Sequence, residues 1–204
     1  MATSNQAELD QRHRQRMARK KALIDARIEQ AQEERGLLLV LTGNGKGKSS
    51  SAFGMVARAL GHGMQVGVCQ FLKSRRDTGE EGFFQRDAHV DWQVLGDGFT
   101  WDTQDRSQDI KTAERGWAVA QAMLRDPQRQ LVVLDELTYL LSYGYLDADA
   151  VLDCIAERPF QQHVVVTGRG AIEPLVALAD TVTEMADVKH AFRAGVAAQP
   201  GIDL

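Results

Sequence analysis

Leu37-Leu38-Leu39-Val40-Leu41-Thr42-Gly43-Asn44-Gly45-Lys46-Gly47-Lys48-Ser49-Ser50 is the stretch that decides the fold. Its apolar start has the length and character of a strand buried on both faces. A glycine-rich turn follows at once, and Ser49 to about Leu60 reads as a helix ended by Gly61-His62-Gly63. Strand, glycine turn and helix in that order fit the phosphate-loop pattern, with Thr42 standing where the first glycine usually stands. Glycines let the backbone bend so that successive N–H groups point inward at phosphate oxygens. The following helix adds its unpaired N–H groups and its positive dipole end. Lys48 brings a mobile point charge for phosphate, and Ser49 a hydroxyl for Mg²⁺.

A second acidic motif lies downstream. Leu131-Val132-Val133-Leu134-Asp135-Glu136 is an apolar strand ending in two carboxylates. Asp135 is placed to bind Mg²⁺ directly or through water, and Glu136 to ligate it or to contact the nucleotide or its ribose. Solvated acids at a strand end are the plainer reading of this motif alone; the phosphate loop and the acidic strand end in this order predict a nucleotide site. Thr167-Gly168-Arg169-Gly170 also follows a strand, so it is expected at the same sheet edge, with Arg169 either clamping phosphate or lying on the surface. Phe99 and Trp101 follow Gly96-Asp97-Gly98. Taken alone, they read as core packing ahead of a platform for a flat ligand. The five histidines, at 13, 62, 89, 163 and 190, show no metal-ligand spacing.

Outward from these motifs, apolar runs at Gln65–Phe71, Val90–Leu95, His163–Thr167 and Thr181–Glu184 read as strands. Helical patterns at Ser107–Leu124, Asp147–Ala156 (Asp147 as N-cap) and Ala171–Leu178 fall between them, and 73–89 reads as loop with a short helix. The alternation predicts an α/β domain over residues 36–204, a mostly parallel sheet with helices on both faces, of the RecA-like phosphate-loop NTPase type. Residues 1–35 contain no Pro and no aromatic residue. They read as one long helical arm with a thin apolar stripe of Leu9, Met17, Ile24 and Ile28 beside Leu23. Such a helix cannot stand alone, so it is expected to dock on the body, on a second subunit or over a ligand. Its basic run from Arg12 to Lys21 is either a solvated face or an anion contact.

Composition closes several alternatives. Of 204 residues, 44% are hydrophobic and 25% charged, which argues against disorder, and the net charge of −4 argues against a general nucleic-acid binder. No apolar run is long enough for a membrane span and no signal-type stretch opens the chain, so the cytoplasm is the expected compartment. Cys69 and Cys154 form neither a disulfide framework nor a CxxC site and read as small buried side chains.

The chain resembles the ATP:corrinoid adenosyltransferases of the phosphate-loop class, enzymes of vitamin B12 synthesis and salvage. The resemblance rests on the arginine-rich helix running into Glu34-Arg35-Gly36, on TGNGKGKSS (42–50), and on GFTWDTQ (98–104). It continues through LDELTY (134–139), TGRG (167–170) and Val188-Lys189-His190-Ala191-Phe192. Ser49-Ser50 depart from the family's common Thr-Thr but keep the hydroxyls. The resemblance implies transfer of the 5′-deoxyadenosyl group of ATP to the Co(I) of a corrinoid, with release of triphosphate. It implies ATP bound in reverse of the usual phosphate-loop sense, so that Lys48 serves the α-phosphate end. Thr42, Gly43, Asn44, Gly45, Lys46, Gly47 and Ser50 would complete the cradle, with Arg169 assisting. Mg²⁺ (or Mn²⁺) would sit on Ser49 and Glu136 or Asp135. Phe99 and Trp101 would become corrinoid-binding and catalytic residues that pack beneath the cobalt and strip its lower ligand. A reduced flavoprotein as electron donor, a homodimer, and cobalamin, cobinamide or an earlier corrinoid as substrate are further implications. Two rival readings are a phosphate-loop kinase or ATPase, and a nucleotide-dependent binding module without catalysis.

Overall fold

The computed structural model describes residues 2–72, 78–96 and 105–202, with side chains from residue 8 onward. The chain divides into two compact units, Met1–Glu34 and Arg35–Leu204. The first is a single helix, α1 (Ala2–Gln30). At 1.5 Å per residue its 29 residues span about 43 Å. Its stripe residues Leu9, Met17, Leu23, Ile24 and Ile28 are all exposed. Lys21 and Asp25 pair across one turn at 2.7 Å, an exposed contact worth only a few tenths of a kcal/mol, about what such pairs give.

The second unit is a six-stranded parallel sheet. Its strands are β1 (Leu38–Thr42), β2 (Val66–Gln70), β3 (Val90–Val94), β4 (Leu131–Asp135), β5 (His163–Thr167) and β6 (Thr181–Glu184). They lie in the order β3-β2-β4-β5-β1-β6. Leu38 faces Val164, Leu131 faces His163 and Val66 faces Leu131, so the central strands start level and end level. Side chains alternate between two cores, as strand geometry requires. Leu41, Val66, Val68, Val133 and Val165 meet α2 (Lys48–Gly61) through Ala52, Phe53, Val56 and Ala59, and meet α3 (Gly79–Phe84) through Phe84. Leu38, Val40, Cys69, Val132, Leu134, Val164 and Val166 face the other way. There they meet α4 (Arg106–Arg125), α5 (Leu137–Ser142), α6 (Ala148–Ala156) and α7 (Glu173–Leu178). Helices therefore cover both faces, and both cysteines are buried free thiols.

The local causes of these elements are visible. Asp147 caps α6 by accepting from Ala150 N at 3.2 Å, as its sequence context predicts. Asp105 caps α4 by accepting from Ser107 N and Gln108 N. Helix α7 begins two residues later than the pattern suggests, because Ile172 stays extended and Pro174 falls in the first turn, where a missing N–H costs nothing. At the opposite edge from the glycine turn, Asp180 accepts from Arg35 Nη2 (2.5 Å) and from Leu38 N (2.8 Å). The Arg35 hydrogen bond, ahead of the Leu38 one, holds the Asp180 carboxyl below its ordinary range. This clasp fixes the point at which the chain enters β1.

Candidate active site

Because all strands run the same way, their last residues reach one edge of the sheet, where open α/β folds bind ligands. Five of those last residues are polar: Thr42, Gln70, Asp135, Thr167 and Glu184. The glycine turn leaves β1 at this edge. Gly43 (φ 97°) and Gly47 (φ 116°) sit in the left-handed region that a side chain resists, which is why the turn needs glycine at these two places. Gly47 is also the N-cap of α2 and makes no side-chain cap bond, which leaves the first-turn N–H groups of the helix to a ligand.

Gly45 is required for a different reason. Its N–H donates to Met185 O at 2.7 Å, and a Cβ would lie 2.5 Å from Ala186 O. The loop thus leans on the chain just beyond β6, and in this state the Gly45 N–H is committed there. Thr42 likewise spends its hydroxyl on structure. Its Oγ1 accepts from Ala171 N at 3.3 Å, tying the phosphate loop to the 167–170 turn. Asn44, Lys46 and Ser50 are exposed and Ser49 half-buried.

Lys48 is buried, and its Nζ donates to Gly45 O at 2.7 Å. Burial pulls its ammonium below the ordinary lysine range. Glu136 then raises it, Arg169 lowers it and Asp135 raises it, in decreasing order. All four charges therefore act on one place, although they come from three separate stretches of chain.

The acidic pair splits in two. Asp135 is fully buried, and both its oxygens are bonded: Oδ1 accepts from Thr167 Oγ1 (2.7 Å) and Oδ2 from Gln70 Nε2 (3.0 Å). Glu136 is half-buried and is the one non-glycine residue with positive φ (64°) among the described residues. A left-handed residue that is not Gly or Asn costs about 1–3 kcal/mol and persists where its surroundings impose it. Its N–H is held by Thr167 Oγ1 at 3.0 Å, and the bend it makes starts α5. Gly168 (φ 134°) closes the back of this bend. A Cβ there would overlap Thr138 Oγ1 and lie 3.0 Å from Glu136 Oε2. Thr138 Oγ1 donates to Arg169 O at 2.7 Å, fixing the backbone from which the exposed Arg169 side chain projects.

The stretch holding Phe99 and Trp101 lies outside the described residues. Its near flank is fixed at Gly96, where a Cβ would overlap Phe71 O, and its far flank at the Asp105 cap. Sequence reasoning placed Lys48, Asp135, Glu136 and Arg169 together, and the structure does the same. It assigned no individual role to Gln70, Trp92, Thr138 or Thr167. The available signal was a polar residue ending an otherwise apolar strand, as in Val66-Gly-Val-Cys-Gln70 and His163-Val-Val-Val-Thr167.

Among the described residues no group of three or more His, Cys, Asp or Glu can hold a metal by itself. Mg²⁺ takes one or two protein oxygens and completes its shell with water and phosphate. The Ser49 hydroxyl and the Glu136 carboxylate, with the Asp135 anion fixed behind, are oxygen donors of the right kind. The parallel sheet, the glycine cradle with its lysine and the acidic strand end define a phosphate-loop nucleotide-binding protein of the α/β class.

Comparison with known proteins narrows the class. Residues 34–204 match the family described as ATP:corrinoid adenosyltransferase BtuR/CobO/CobP, and residues 1–28 match the family described as Cob(I)alamin adenosyltransferase N terminal. The chain belongs to the ATP:corrinoid adenosyltransferase family. It is 62% identical to a protein of Pseudomonas aeruginosa named corrinoid adenosyltransferase, over 97% of this chain and 98% of that one. It is 50% identical to a protein of the same name from Escherichia coli K12, over 95% of this chain and 98% of the relative. A Salmonella typhimurium relative, named corrinoid adenosyltransferase CobA, is 49% identical over the same shares. No helix among the described residues is long and apolar enough to cross a membrane.

Proposed function

We propose that this chain transfers the 5′-deoxyadenosyl group of ATP to the Co(I) of a corrinoid and releases triphosphate. The family match along residues 34–204 supports this reading, since it falls on a chain whose phosphate loop and acidic strand end meet at one edge. In the reaction the cobalt electron pair attacks C5′, the C5′–O bond breaks, and negative charge grows on the oxygen of the departing α-phosphate. The protein supplies no covalent nucleophile, so its contribution is positioning and charge stabilisation.

Lys48 is proposed to leave Gly45 O and donate to the oxygens that gain charge. Its depressed basicity when no phosphate is present means that bound phosphate replaces an unfavourable burial with a favourable pair. Thr42 to Ser50 surround the triphosphate, with backbone N–H groups at Asn44, Lys46 and Gly47 and hydroxyls at Ser49 and Ser50. Arg169 neutralises the far end. Mg²⁺, or Mn²⁺, would be held by Ser49 and Glu136 with Asp135 behind them, and when bound it would neutralise triphosphate charge. Phe99 and Trp101 are proposed to pack against the corrinoid beneath the metal, where apolar rings replace the lower ligand and favour Co(I). A reduced flavoprotein as electron donor, a homodimeric assembly and a cytoplasmic setting belong to the same proposal.

The test is phosphorus NMR of a reaction containing the protein, MgATP, cobalamin and a strong chemical reductant. Triphosphate as the phosphorus product, formed only when corrinoid is present, is the expected result. ADP and orthophosphate formed without corrinoid would instead make the chain a kinase or ATPase.

A further inference from the structure

Gln70 lies outside both the phosphate loop and the acidic pair, yet it is wholly buried at the end of β2, in register with Asp135 on one side and Val94 on the other. A continuous line of hydrogen bonds passes through it. The Trp92 indole N–H donates to Gln70 Oε1 at 3.0 Å, and Gln70 Nε2 donates to Asp135 Oδ2 at 3.0 Å. On the other side the Thr167 hydroxyl donates to Asp135 Oδ1 at 2.7 Å, and Thr167 Oγ1 accepts from Glu136 N at 3.0 Å. The line crosses four adjacent strands, β3, β2, β4 and β5, and ends at the backbone of Glu136, the non-glycine residue with positive φ.

Residue chemistry fixes the direction of every bond. An indole only donates and a carboxylate only accepts, so the group between them must carry an acceptor and a donor on one rigid plane. An amide does that. Because Trp92 occupies the oxygen, the Gln70 nitrogen must face Asp135. A hydroxyl has one proton, and Thr167 gives it to Asp135, so a lone pair is left for the Glu136 N–H. Trp92 itself is set by its ring neighbours, Phe53 at 4.9 Å and Phe84 at 5.9 Å between centroids. A buried carboxylate bonded through both oxygens cannot turn, and buried networks of this kind specify one arrangement.

We infer that Gln70 and Thr167, with Trp92 fixing the Gln70 amide, are positioning residues of the nucleotide site: together they clamp Asp135 and set the bend that presents Glu136. The inference rests on the proposed MgATP reading of that site. It goes further in assigning the site's geometry to a relay that starts at β3. A relay that served stability alone would change ATP affinity equally with and without the metal ion. A positioning relay acts on the metal-dependent part, because Glu136 and Asp135 are the groups it aims.

Calorimetric titration of the full chain with ATP, in MgCl₂ and separately in EDTA, distinguishes the two. Thr167→Val keeps the shape and removes the hydroxyl. It is expected to weaken binding in magnesium about tenfold, which is about 1.4 kcal/mol, while metal-free binding changes less than about twofold. Thr167→Ser restores the hydroxyl and is expected within about twofold of the unaltered protein under both conditions. Trp92→Phe keeps the ring stack and frees the amide to rotate; it is expected to lose about threefold, in magnesium only. It should also raise KM for MgATP without a matching fall in kcat. Equal weakening in magnesium and EDTA, or failure of Ser to restore binding, overturns the inference. If Thr167→Val does not fold, Trp92→Phe carries the test, and an unchanged magnesium effect in that variant overturns it. Should the unaltered protein itself show no magnesium effect, the MgATP reading fails and the inference falls with it. A magnesium effect present in the unaltered protein and untouched in every variant condemns the relay alone.

Discussion

Gly168→Ala is the substitution whose cost can be worked most fully from the geometry. The residue stands at φ 134°, where a side chain is strained, and the new Cβ would overlap Thr138 Oγ1 and press on Glu136 Oε2 at 3.0 Å. Backbone strain of this kind costs about 1–3 kcal/mol. Moving Thr138 breaks its 2.7 Å bond to Arg169 O, for about 1 kcal/mol more, or up to about 2 if a buried group is left unpaired. The sum is about 2–5 kcal/mol. For a domain of this size each kcal/mol lowers Tm by about 2–4 °C, so the expected fall is about 4–20 °C. The assay is thermal unfolding by circular dichroism, run beside Thr138→Ala and the double variant. Removing the Thr138 hydroxyl removes one obstacle, so the double variant should be more stable than the sum of the single effects allows, with a coupling of about 0.5–1.5 kcal/mol. A Tm within about 1 °C of the unaltered protein, or strict additivity, would refute this account of the bend.

Other consequences are simpler to state. Lys48→Ala should lower adenosyl transfer by at least about 10²-fold, because a donor aimed at developing charge is lost. The same variant should melt no lower than the unaltered protein, since it removes a buried ammonium; a lower Tm would contradict this. Trp101→Ala should lose activity chiefly when Co(II) is supplied, and equal loss with pre-reduced Co(I) would remove the ligand-stripping role. The pH dependence of folding should carry a His163 signature. Burial, and then Arg158, lower the folded pKa of His163, while its Nδ1 accepts from Leu37 N at 3.1 Å. A lowered histidine pKa means that the unfolded chain binds the proton first. Stability is therefore full above the ordinary histidine pKa of about 6.5 and is lost as pH falls below it. His163→Gln should flatten that slope in urea unfolding measured from pH 7.5 to 5; an unchanged slope would assign it elsewhere.

Much of this fold is legible in the chain because its signals are local. Leu37–Leu41 and Leu131–Leu134 are apolar runs long enough for buried strands and too short for helices, and Asp147 announces α6. Helix α5 is an element the pattern does not predict. It has no capping side chain in front of it, and it begins only because Glu136 is bent into the left-handed region by Thr167 and Gly168, residues far along the sequence. The same limit hides the relay. Gln70 reads as the end of a strand, and nothing near it reveals that β2 lies beside β4, so that its amide meets Asp135. Gly45 shows the reverse case: the sequence suggests glycine for the sake of phosphate, and the structure adds the close approach of Met185 and Ala186. Residue types thus pointed to a nucleotide site, while strand order, which no single stretch encodes, determined the partners.

The most direct measurement follows the carbon. ATP labelled with ¹³C at C5′, incubated with the protein, magnesium and Co(I) corrinoid, should yield one labelled carbon bonded to cobalt for each triphosphate released. Label that stays in an intact adenine nucleotide while terminal phosphate is freed would contradict the account at its centre.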